Sequence, residues 1–511
     1  MPQSQFSQRL KALQDGEIAI KHDYNEFVGH ADVIAQLLEV APAAIKDDLQ
    51  ALYDLMAEAR DAQGMAVLGI FPKLCEPELA NVEGRISDYI AETTGQRLDD
   101  GQYEAGRLIG ESRCPAWPGI GSPLTNNRFP YLLDTSASNY FSTRFWHGDN
   151  APPGFLQVPT GGKVVFKGEY LRCRYFAFHP SDFDTNNLKT IIDEDIVPDD
   201  GSQNPFTQVV EEGYNRRFTT QLVFTPEPEM PESNTSYVGI KRNGGFNPAV
   251  FLILRTTDSV LGAMPPNSTG VLLPSVTIYD AEGKQVSHYD EIDPYPAGIE
   301  PAVETTRFAS LPIPDARAIN WPARFSTKAN WGLPYDILAS DDLLYLVSPY
   351  SQHLGNVFVV RAKAFSTPHP PKTAVYAECN EARGFTVTTY NFWAGICNDA
   401  VVDHQIAHDE DGYYNLVVST KENRPTNATA EHGYTWVDWG DYLDGQLTFR
   451  FLLRQNPRLK ALKVAIETGK ADADIADFVP RAGHCNKAEF EQQGHQAVEF
   501  EMRTLADLDK D

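Results

Sequence analysis

The chain has 511 residues, 42% of them hydrophobic, which supplies enough apolar side chains for a buried core and excludes a globally disordered protein. Lys and Arg total 43 and Asp and Glu total 70, so the formal net charge is −27, a balance that argues against binding to nucleic acid or to an anionic membrane surface. A chain of this length corresponds to roughly three domains.

The first predicted unit covers residues 1–113 and is helical. Ile45, Leu49, Leu52 and Met56 recur at the spacing of one helix face. We interpret this unit as a cap or as a surface for homo-oligomer formation. Its opening stretch lacks the apolar segment of a secretory signal, no apolar run is long enough to span a membrane, and the six cysteines are scattered. The sequence therefore predicts a cytoplasmic protein with reduced thiols and no membrane association.

Residues 114–290 are predicted to form a first β-sandwich. The segments 163–167 and 170–178 have the pattern of a β-hairpin around a Gly-Glu turn. An Asp-rich loop follows at residues 193–206. Further strands are expected at 217–225, 249–256 and 276–279.

A Pro-rich crossing segment at residues 291–340 separates this unit from a second predicted β-sandwich at residues 341–456. The last strand of the second unit alternates large apolar residues with Thr448 and Arg450, which is typical of a half-buried antiparallel strand. Residues 457–511 are expected to form helices and an acidic tail. Short strands between turn residues, without interleaved helices, predict a mainly β protein built from two antiparallel, jelly-roll-like β-sandwich domains.

Several motifs in these two units resemble those of a family of bacterial proteins that has no established activity. The matching stretches are GKVVFKGEYLRCRYFAFHPSD, DEDIVPDDGSQNPF, DEDGYYNLVVSTKENRPTNAT and YTWVDWG. The two halves are more distantly similar to the paired bacterial β-sandwich domains of unknown function. The resemblance covers roughly residues 130–460 and implies a tandem β-sandwich fold without implying a reaction. The chain departs from the family pattern at Phe392-Trp393-Ala394-Gly395, where relatives carry a Tyr-Trp-Ser core.

Two arginines in the first sandwich are candidates for binding an anion. Arg172 and Arg174 are two residues apart and are expected on one strand face, where two guanidinium groups can clamp a carboxylate or a phosphate. The alternative is that they pair with the acidic loop at residues 193–200 and hold it against the sheet. Asp195 and Asp199 of that loop are the candidate catalytic bases if the anion is a substrate.

A group of aromatic and polar side chains is expected to line a pocket of the second sandwich. Its members are Trp393, Asn398, Arg424, Asn427, Trp436, Trp439 and Arg450. The alternative is that the rings fill the sandwich core while the polar groups satisfy the carbonyl groups of turns.

Histidines near strand ends provide a third candidate site. His147, His179 and Asp182 have the composition of a metal site with two histidines and one carboxylate, as in jelly-roll metalloenzymes. The alternative is that they are ordinary residues at strand ends. No phosphate-binding loop and no dinucleotide fingerprint occurs, so no organic cofactor is expected and a divalent metal is the candidate that remains.

Three hypotheses about function follow. The first is a tandem β-sandwich protein that binds a small apolar or aromatic anion between the sandwiches, with Arg172 or Arg174 on the anionic group and Trp436 or Trp439 on the apolar part. If that protein is an enzyme, a cofactor-independent hydrolase or lyase is the favoured class. The second hypothesis is a metal-dependent jelly-roll enzyme, and the third is a non-catalytic structural or interaction module.

Overall fold

The computed structural model describes residues 5–14, 17–19, 27–61, 138–151, 155–184, 186–211, 213–257, 271–292, 342–352, 354–367, 381–391, 397–440, 444–452 and 457–498, together with short stretches between 82 and 121 and residues 325 and 500. Within these residues, an N-terminal helical unit is followed by four β-sheets, which confirms the mainly β fold class. None of the helices in these ranges is long and apolar enough to cross a membrane.

Among the described residues, the N-terminal unit contains the helices α1 (Gln5–Gln14), α2 (Phe27–Leu38) and α3 (Lys46–Asp61). The first turn of α3 carries two aspartates, which the positive end of the helix dipole favours. Of the predicted apolar stripe, Ile45, Leu49 and Met56 are buried together with Phe6 of α1 and Ile34 of α2, and Leu52 is partly buried against them. The helix predicted around residues 45–56 is therefore confirmed, and its apolar face belongs to the core of this unit.

The first sandwich consists of two sheets, one with the strand order β1-β2-β9-β5-β6, in which β3 also pairs with β2, and one with the order β11-β10-β4-β7-β8. Phe166, Phe178 and Leu252 come from facing strands and meet in one apolar core. The strands are β1 (Gly119–Gly121), β2 (Ser138–His147), β3 (Leu156–Val158), β4 (Lys163–Glu169), β5 (Tyr175–Ser181), β6 (Ile191–Ile192), β7 (Arg217–Val223), β8 (Thr235–Tyr237), β9 (Ala249–Thr257), β10 (Ser275–Tyr279) and β11 (Gln285–Tyr289).

The second sandwich has one sheet with the order β12-β18-β14-β15 and one with the order β17-β16-β13-β19. Helix α4 (Pro457–Thr468) contributes Leu459 and Leu462 to its core, and helix α5 (Lys487–Gln493) packs Phe490 on the outer face of the second sheet. The strands are β12 (Leu343–Ser351), β13 (Val357–Lys363), β14 (Phe385–Asn391), β15 (Cys397–Val402), β16 (Tyr413–Ser419), β17 (Thr435–Asp438), β18 (Asp444–Leu452) and β19 (Arg481–Cys485).

The two sandwiches repeat one arrangement. Strands β2, β9, β5 and β6 correspond to β12, β18, β14 and β15, while β10, β4, β7 and β8 correspond to β19, β13, β16 and β17. The registers agree as well, because Tyr140 is opposite Arg255 in the first sandwich and Tyr345 is opposite Arg450 in the second. Positions in one sandwich can therefore be compared with equivalent positions in the other.

The predicted hairpin in the first sandwich is wrong. Strand β4 extends to Glu169, through the expected turn, and β5 begins only at Tyr175. The two strands lie in opposite sheets, and the segment between them crosses the edge of the sandwich, with the Tyr170 hydroxyl bonded to the carbonyl oxygen of Ile196 at 2.7 Å. Alternation along one strand does not reveal which sheet the strand joins, so the sequence pattern was compatible with both arrangements.

Two further features differ from the expected antiparallel sandwiches. The pairs β2–β3, β7–β8 and β16–β17 are parallel. Strand β19 pairs with β13 and lies in the C-terminal segment expected to contain only helices and a tail. Its sequence, RAGHC, is short and rich in small residues, so it lacks the β-branched pattern by which a strand is recognised.

Candidate functional site

The sandwiches contact each other through the outward faces of the sheets that contain β5 and β14. Tyr175 and Ala177 of β5 form a small apolar cluster with Leu343 of β12 and Leu452 of β18. Polar side chains surround this cluster: the Arg255 Nη1 group donates to the Tyr345 hydroxyl at 2.5 Å. The face between the sandwiches is therefore buried and largely polar.

Two ion pairs cross this face in a reciprocal way. Arg174 of the first sandwich donates to Asp403 of the second at 2.5 Å, and Arg383 of the second donates to both carboxylate oxygens of Asp193 of the first at 2.7 and 2.8 Å. All four side chains are at most 4% exposed. Each sandwich thus supplies one arginine and one aspartate, and each charge finds its partner in the other sandwich.

Each aspartate of these pairs begins a short 3-10 turn directly after an edge strand, at Asp193–Asp195 and at Asp403–Gln405. Burial raises the pKa of Asp193 to about 6, against the opposing effects of Arg383 and of the Phe176 backbone N–H. Burial also opposes ionisation of Asp403, yet the hydrogen bond from His404 and the charge of Arg174 hold its pKa below the ordinary value. Both carboxylates are therefore ionised at neutral pH and form true ion pairs.

A tyrosine, a histidine and an aspartate form a second buried group on this face. The Tyr175 hydroxyl lies 2.9 Å from His179 Nε2 and donates to the carboxylate of Asp342, which also lies 3.8 Å from His179 Nδ1. Burial lowers the pKa of His179 to about 3 and raises that of Tyr175 well above its ordinary value. His179 is therefore neutral, and its Nε2–H can donate to Tyr175 while Tyr175 donates to Asp342.

The outward face of β14 and β18 carries a contiguous polar patch. Its members are Thr386, Thr388 and Tyr390 of β14 and Gln446, Thr448 and Arg450 of β18, all at most 2% exposed. The members face one another across the strand pair, as Thr386 with Arg450, Thr388 with Thr448 and Tyr390 with Gln446. Side chains that are two residues apart on one face lie about 6.5–7 Å apart along a strand.

Hydrogen bonds within the polar patch leave some of its atoms without a partner. Arg450 donates to the Thr388 hydroxyl at 3.1 Å and to the Tyr390 hydroxyl at 2.5 Å, and Gln446 Nε2 donates to Thr448 at 3.2 Å. Among the described residues, neither the hydroxyl Oγ1 of Thr386 nor the acceptor oxygen Oε1 of Gln446 has a hydrogen-bond partner. A buried polar atom without a partner costs about 1–3 kcal/mol, so the patch lowers the stability of the fold.

The equivalent face of the first sandwich is apolar at three of its six positions and polar at the other three, where His179, Ser181 and Arg255 stand in place of Thr388, Tyr390 and Arg450. Counting from the shared register, Ala177, Ile253 and Phe251 occupy the places of Thr386, Thr448 and Gln446. Ala177, Ile253 and Phe251 are also buried. The same fold therefore accommodates apolar side chains at the places of Thr386, Thr448 and Gln446, and it does not require polar groups at these three positions.

The anion clamp and the bases predicted from the sequence are not assembled. Arg172 is exposed, whereas Arg174 is buried in its pair with Asp403. Asp195 is exposed, and Asp199 accepts a hydrogen bond from Thr219 of β7, in the sheet on the far side of the sandwich. The alternative was that Arg172 and Arg174 hold the acidic loop. An arginine does hold that loop, but it is Arg383 of the other sandwich, which pairs with Asp193.

The predicted pocket in the second sandwich is divided among separate places. Trp439 lies in the sandwich core, and Asn398 donates to its carbonyl oxygen at 2.8 Å. Arg424 stacks over Trp436 on the outer face, with 4.5 Å from the guanidinium carbon to the ring centre. Arg450 lies in the polar patch. The remaining members are Asn427, which bonds to the carbonyl oxygens of Phe490 and Glu491, and Trp393, which lies outside the described residues.

The three predicted metal ligands also lie apart. His147 packs against Phe224 and Phe246, and its Nδ1 atom lies 3.1 Å from the Asn247 carbonyl oxygen. His179 is on the opposite face of the same sheet, between the sandwiches. The Asp182 carboxylate accepts hydrogen bonds from backbone N–H groups of the neighbouring loops. Within the part of the chain that the structure describes, no three His, Cys, Asp or Glu side chains are placed to hold a metal ion.

Sequence reasoning found Arg174 and Arg450 but missed their surroundings. An internal repeat was the available signal for the ion pairs. The number of residues between Arg174 and Asp193 is almost the same as the number between Arg383 and Asp403. Each aspartate begins the pattern D-x-x-I-x-x-D, as DEDIVPD and DHQIAHD. The threonines of the polar patch gave no signal, since threonine is a common strand residue.

Comparisons with known proteins add little to this description. No family model matches the chain, and no curated protein matches it at a significant level. Similar solved structures include a putative uncharacterized protein from Burkholderia cenocepacia, with 12% identity, a TM-score of 0.37 and coverage of 76% of this chain and 96% of that one. A structural genomics target from Vibrio parahaemolyticus has 11% identity, a TM-score of 0.34 and coverage of 81% and 99%. The expected resemblance to uncharacterised bacterial proteins is confirmed to this extent, and TM-scores this low carry no argument about the site.

Proposed function

We propose that the protein binds a small polar molecule at the polar patch on β14 and β18. The observation that carries this proposal is the pair of buried atoms without a partner, Thr386 Oγ1 and Gln446 Oε1, at positions where the first sandwich has apolar residues. Polar groups that weaken a fold without being needed by it are typical of binding sites, where stability is given up for function. A ligand that reaches these atoms would satisfy them.

The proposal differs from the sequence-based one in the kind of ligand and in the residues that hold it. The polar patch consists of hydroxyl, amide and guanidinium groups, so it favours a polar compound over an apolar or aromatic one. Asp195 is exposed and Asp199 accepts a hydrogen bond from Thr219 of β7, so neither supports a hydrolase or lyase reaction at the buried patch. Binding without catalysis is therefore the function that we carry forward.

Isosteric replacement tests whether the patch serves binding or folding. We expect the triple variant Thr386→Val, Thr448→Val and Gln446→Met to unfold in urea at the same or a higher midpoint than the wild type, because each replacement removes a buried polar group while keeping its volume. In a thermal-shift panel of small polar metabolites, a compound that stabilises the wild type should leave the triple variant unaffected. Thr220→Val is the matched control, since Thr220 also has a buried hydroxyl without a partner, inside the first sandwich.

A triple variant that is destabilised by more than about 2 kcal/mol, while Thr220→Val is not, would show that the patch supports the fold, and the proposal would be lost. The second candidate function, a rigid structural or interaction module, is favoured by one observation, the reciprocal ion pairs that join the sandwiches. That candidate predicts no compound-specific shift in the wild type.

A further inference from the structure

We propose that Arg172 and Arg216 form a binding site for the phosphate group of a small molecule, at the edge of the first sandwich. Arg172 lies on the segment that crosses between β4 and β5, and Arg216 directly precedes β7. The site is separate from the polar patch of β14 and β18, so it does not depend on the proposed function. Arg172 is exposed, and Arg216 and Tyr214 are partly exposed, so a ligand can reach the site from solvent.

Backbone contacts bring the two arginines together. The Tyr170 N–H donates to the Arg216 carbonyl oxygen at 2.9 Å, and the Arg216 Nη2 group donates to the Tyr170 carbonyl oxygen. Arg172 follows Tyr170 by two residues, so the Cα atoms of these two residues are at most about 7 Å apart. The guanidinium carbon of Arg216 lies 5.6 Å from the centre of the Tyr214 ring. The Arg216 side chain is therefore held in place beside the segment that carries Arg172.

The positive charges of this site are not neutralised. Among the described residues, no carboxylate forms an ion pair with Arg172 or Arg216, although the chain has 70 acidic and 43 basic residues. The Glu169 carboxylate lies 3.9 Å from Arg217 instead. Burial lowers the pKa of Arg216, Tyr214 and Glu169 oppose that shift, and the charge of Arg172 adds to it. An anion that contacts both guanidinium groups would relieve their repulsion.

Both guanidinium groups have donors for such an anion. Within the described part of the chain, the Nη1 group of Arg216 has no hydrogen-bond partner and is not buried, and Arg172 makes no hydrogen bond at all. Burial raises the pKa of Tyr214 and the charges of Arg216 and Arg172 oppose that shift, so the Tyr214 hydroxyl lies near both arginines and is a third donor.

The number of charges favours phosphate over carboxylate. Two guanidinium groups carry two positive charges, which a phosphate dianion can balance and a single carboxylate cannot. The three terminal oxygens of a phosphate monoester also provide enough acceptors for two guanidinium forks and one hydroxyl group.

The internal repeat indicates that the fold does not require Arg216. The backbone bond that joins Tyr170 to Arg216 has a counterpart in the second sandwich. There the Ala364 N–H donates to the Gly412 carbonyl oxygen at 3.0 Å. Arg216 therefore corresponds to a glycine, and the same edge of the sandwich forms without its side chain.

Arg172 is not required by the fold either. Counting back from the shared register of β5 and β14, Arg172 corresponds to Glu381. Glu381 forms an ion pair with Arg458 and accepts hydrogen bonds from Ser366. The second sandwich thus has a paired carboxylate at a position where the first has an arginine without a carboxylate. Charged groups that the fold does not need are typical of a site kept for function.

The test is isothermal titration calorimetry at low ionic strength and about pH 8, where phosphate is a dianion because its second pKa is about 6. The probes are inorganic phosphate, glycerol 3-phosphate and acetate at about 10 mM, which detects a millimolar Kd. We expect at least one of the two phosphate probes to bind at least tenfold more tightly than acetate. Tighter binding of inorganic phosphate identifies the free ion as the ligand, and tighter binding of glycerol 3-phosphate identifies a monoester.

Substitutions assign the binding to the two arginines. Arg216→Met and Arg172→Met should each weaken phosphate binding about 10- to 100-fold, and Arg216→Lys, which keeps the charge but not the fork, should weaken it less. Arg361→Met is the matched control, because Arg361 also stacks over a tyrosine, Tyr413, but pairs with Asp409; it should leave the Kd within about threefold. If Arg216→Met does not fold, Arg172→Met carries the comparison, because Arg172 is exposed.

Three results would overturn the proposal: no binding of either phosphate probe, acetate binding as tight as that of the better phosphate probe, or a Kd that both methionine variants leave unchanged. None of them bears on the polar patch, which the isosteric triple variant tests by itself.

Discussion

The bidentate pair between Arg383 and Asp193 makes the sharpest prediction about stability. Replacing Arg383 with Met removes two hydrogen bonds to Asp193 and one to the carbonyl oxygen of Arg174, all between 2.6 and 2.8 Å. The Asp193 carboxylate would stay fully buried but would lose its arginine partner. The Phe176 N–H would be its remaining donor among the contacts described above. We expect a loss of about 3–5 kcal/mol in the free energy of unfolding, the usual effect of removing one partner of a buried ion pair.

A double-mutant cycle separates the contribution of the ion pair from other effects of each substitution. The double variant Arg383→Met with Asp193→Leu should be much less destabilised than the sum of the single variants, since no uncompensated charge remains. Arg217→Met is the matched control, because Arg217 pairs with Glu291 at the surface, where removal should cost about 0–1 kcal/mol.

The assay is urea-induced unfolding, followed both by tryptophan fluorescence and by circular dichroism, because a chain with two sandwiches need not unfold in one step. The midpoints and slopes of both probes give the change for each variant. A loss below about 1 kcal/mol for Arg383→Met, or additive effects in the double variant, would refute the view that the buried pair joins the sandwiches.

Two further predictions concern the same face. Burial lowers the pKa of His179 to about 3, against about 6.5 in the unfolded chain. The stability that the neutral His179 contributes is therefore present above about pH 6.5 and is lost as the pH falls toward 3. The urea midpoint should decline less steeply between about pH 7 and pH 5 in His179→Asn than in the wild type, and equal slopes would contradict this. A Cβ atom on Gly384 would lie 2.5 Å from Nη1 of Arg174, so Gly384→Ala should disturb the pair with Asp403 and cost about 1–3 kcal/mol. That cost should be smaller in an Arg174→Met background, and an unchanged cost measured by urea unfolding would place the clash elsewhere.

The sequence predicted the parts of the fold that depend on local pattern. Helix α3 followed from its apolar stripe, and β18 followed from the alternation that includes Thr448 and Arg450. The sheet to which β4 and β5 belong could not be predicted, because β5 is buried on both faces and shows no alternation.

The candidate site was less predictable than the fold. Arg174 and Arg383 bond to aspartates 229 and 190 residues away, and a partner that distant in sequence is fixed only by the packing of the two sandwiches. Arg450 was identified from its place in a strand, but the threonines beside it differ from ordinary strand residues only in being buried on an outward face. The period of two gives the face of a side chain, and it does not say what covers that face.

The reciprocal ion pairs have a consequence for how such a chain could arise and change. Each half carries one arginine and one aspartate, Arg174 with Asp193 and Arg383 with Asp403, so each half is charge-balanced and complementary to its own image. A surface of that kind can associate with a second copy of itself about a two-fold axis. Joining the two copies in one polypeptide removes the need for them to stay identical, and one half can then acquire polar residues at places where the other keeps alanine, isoleucine and phenylalanine.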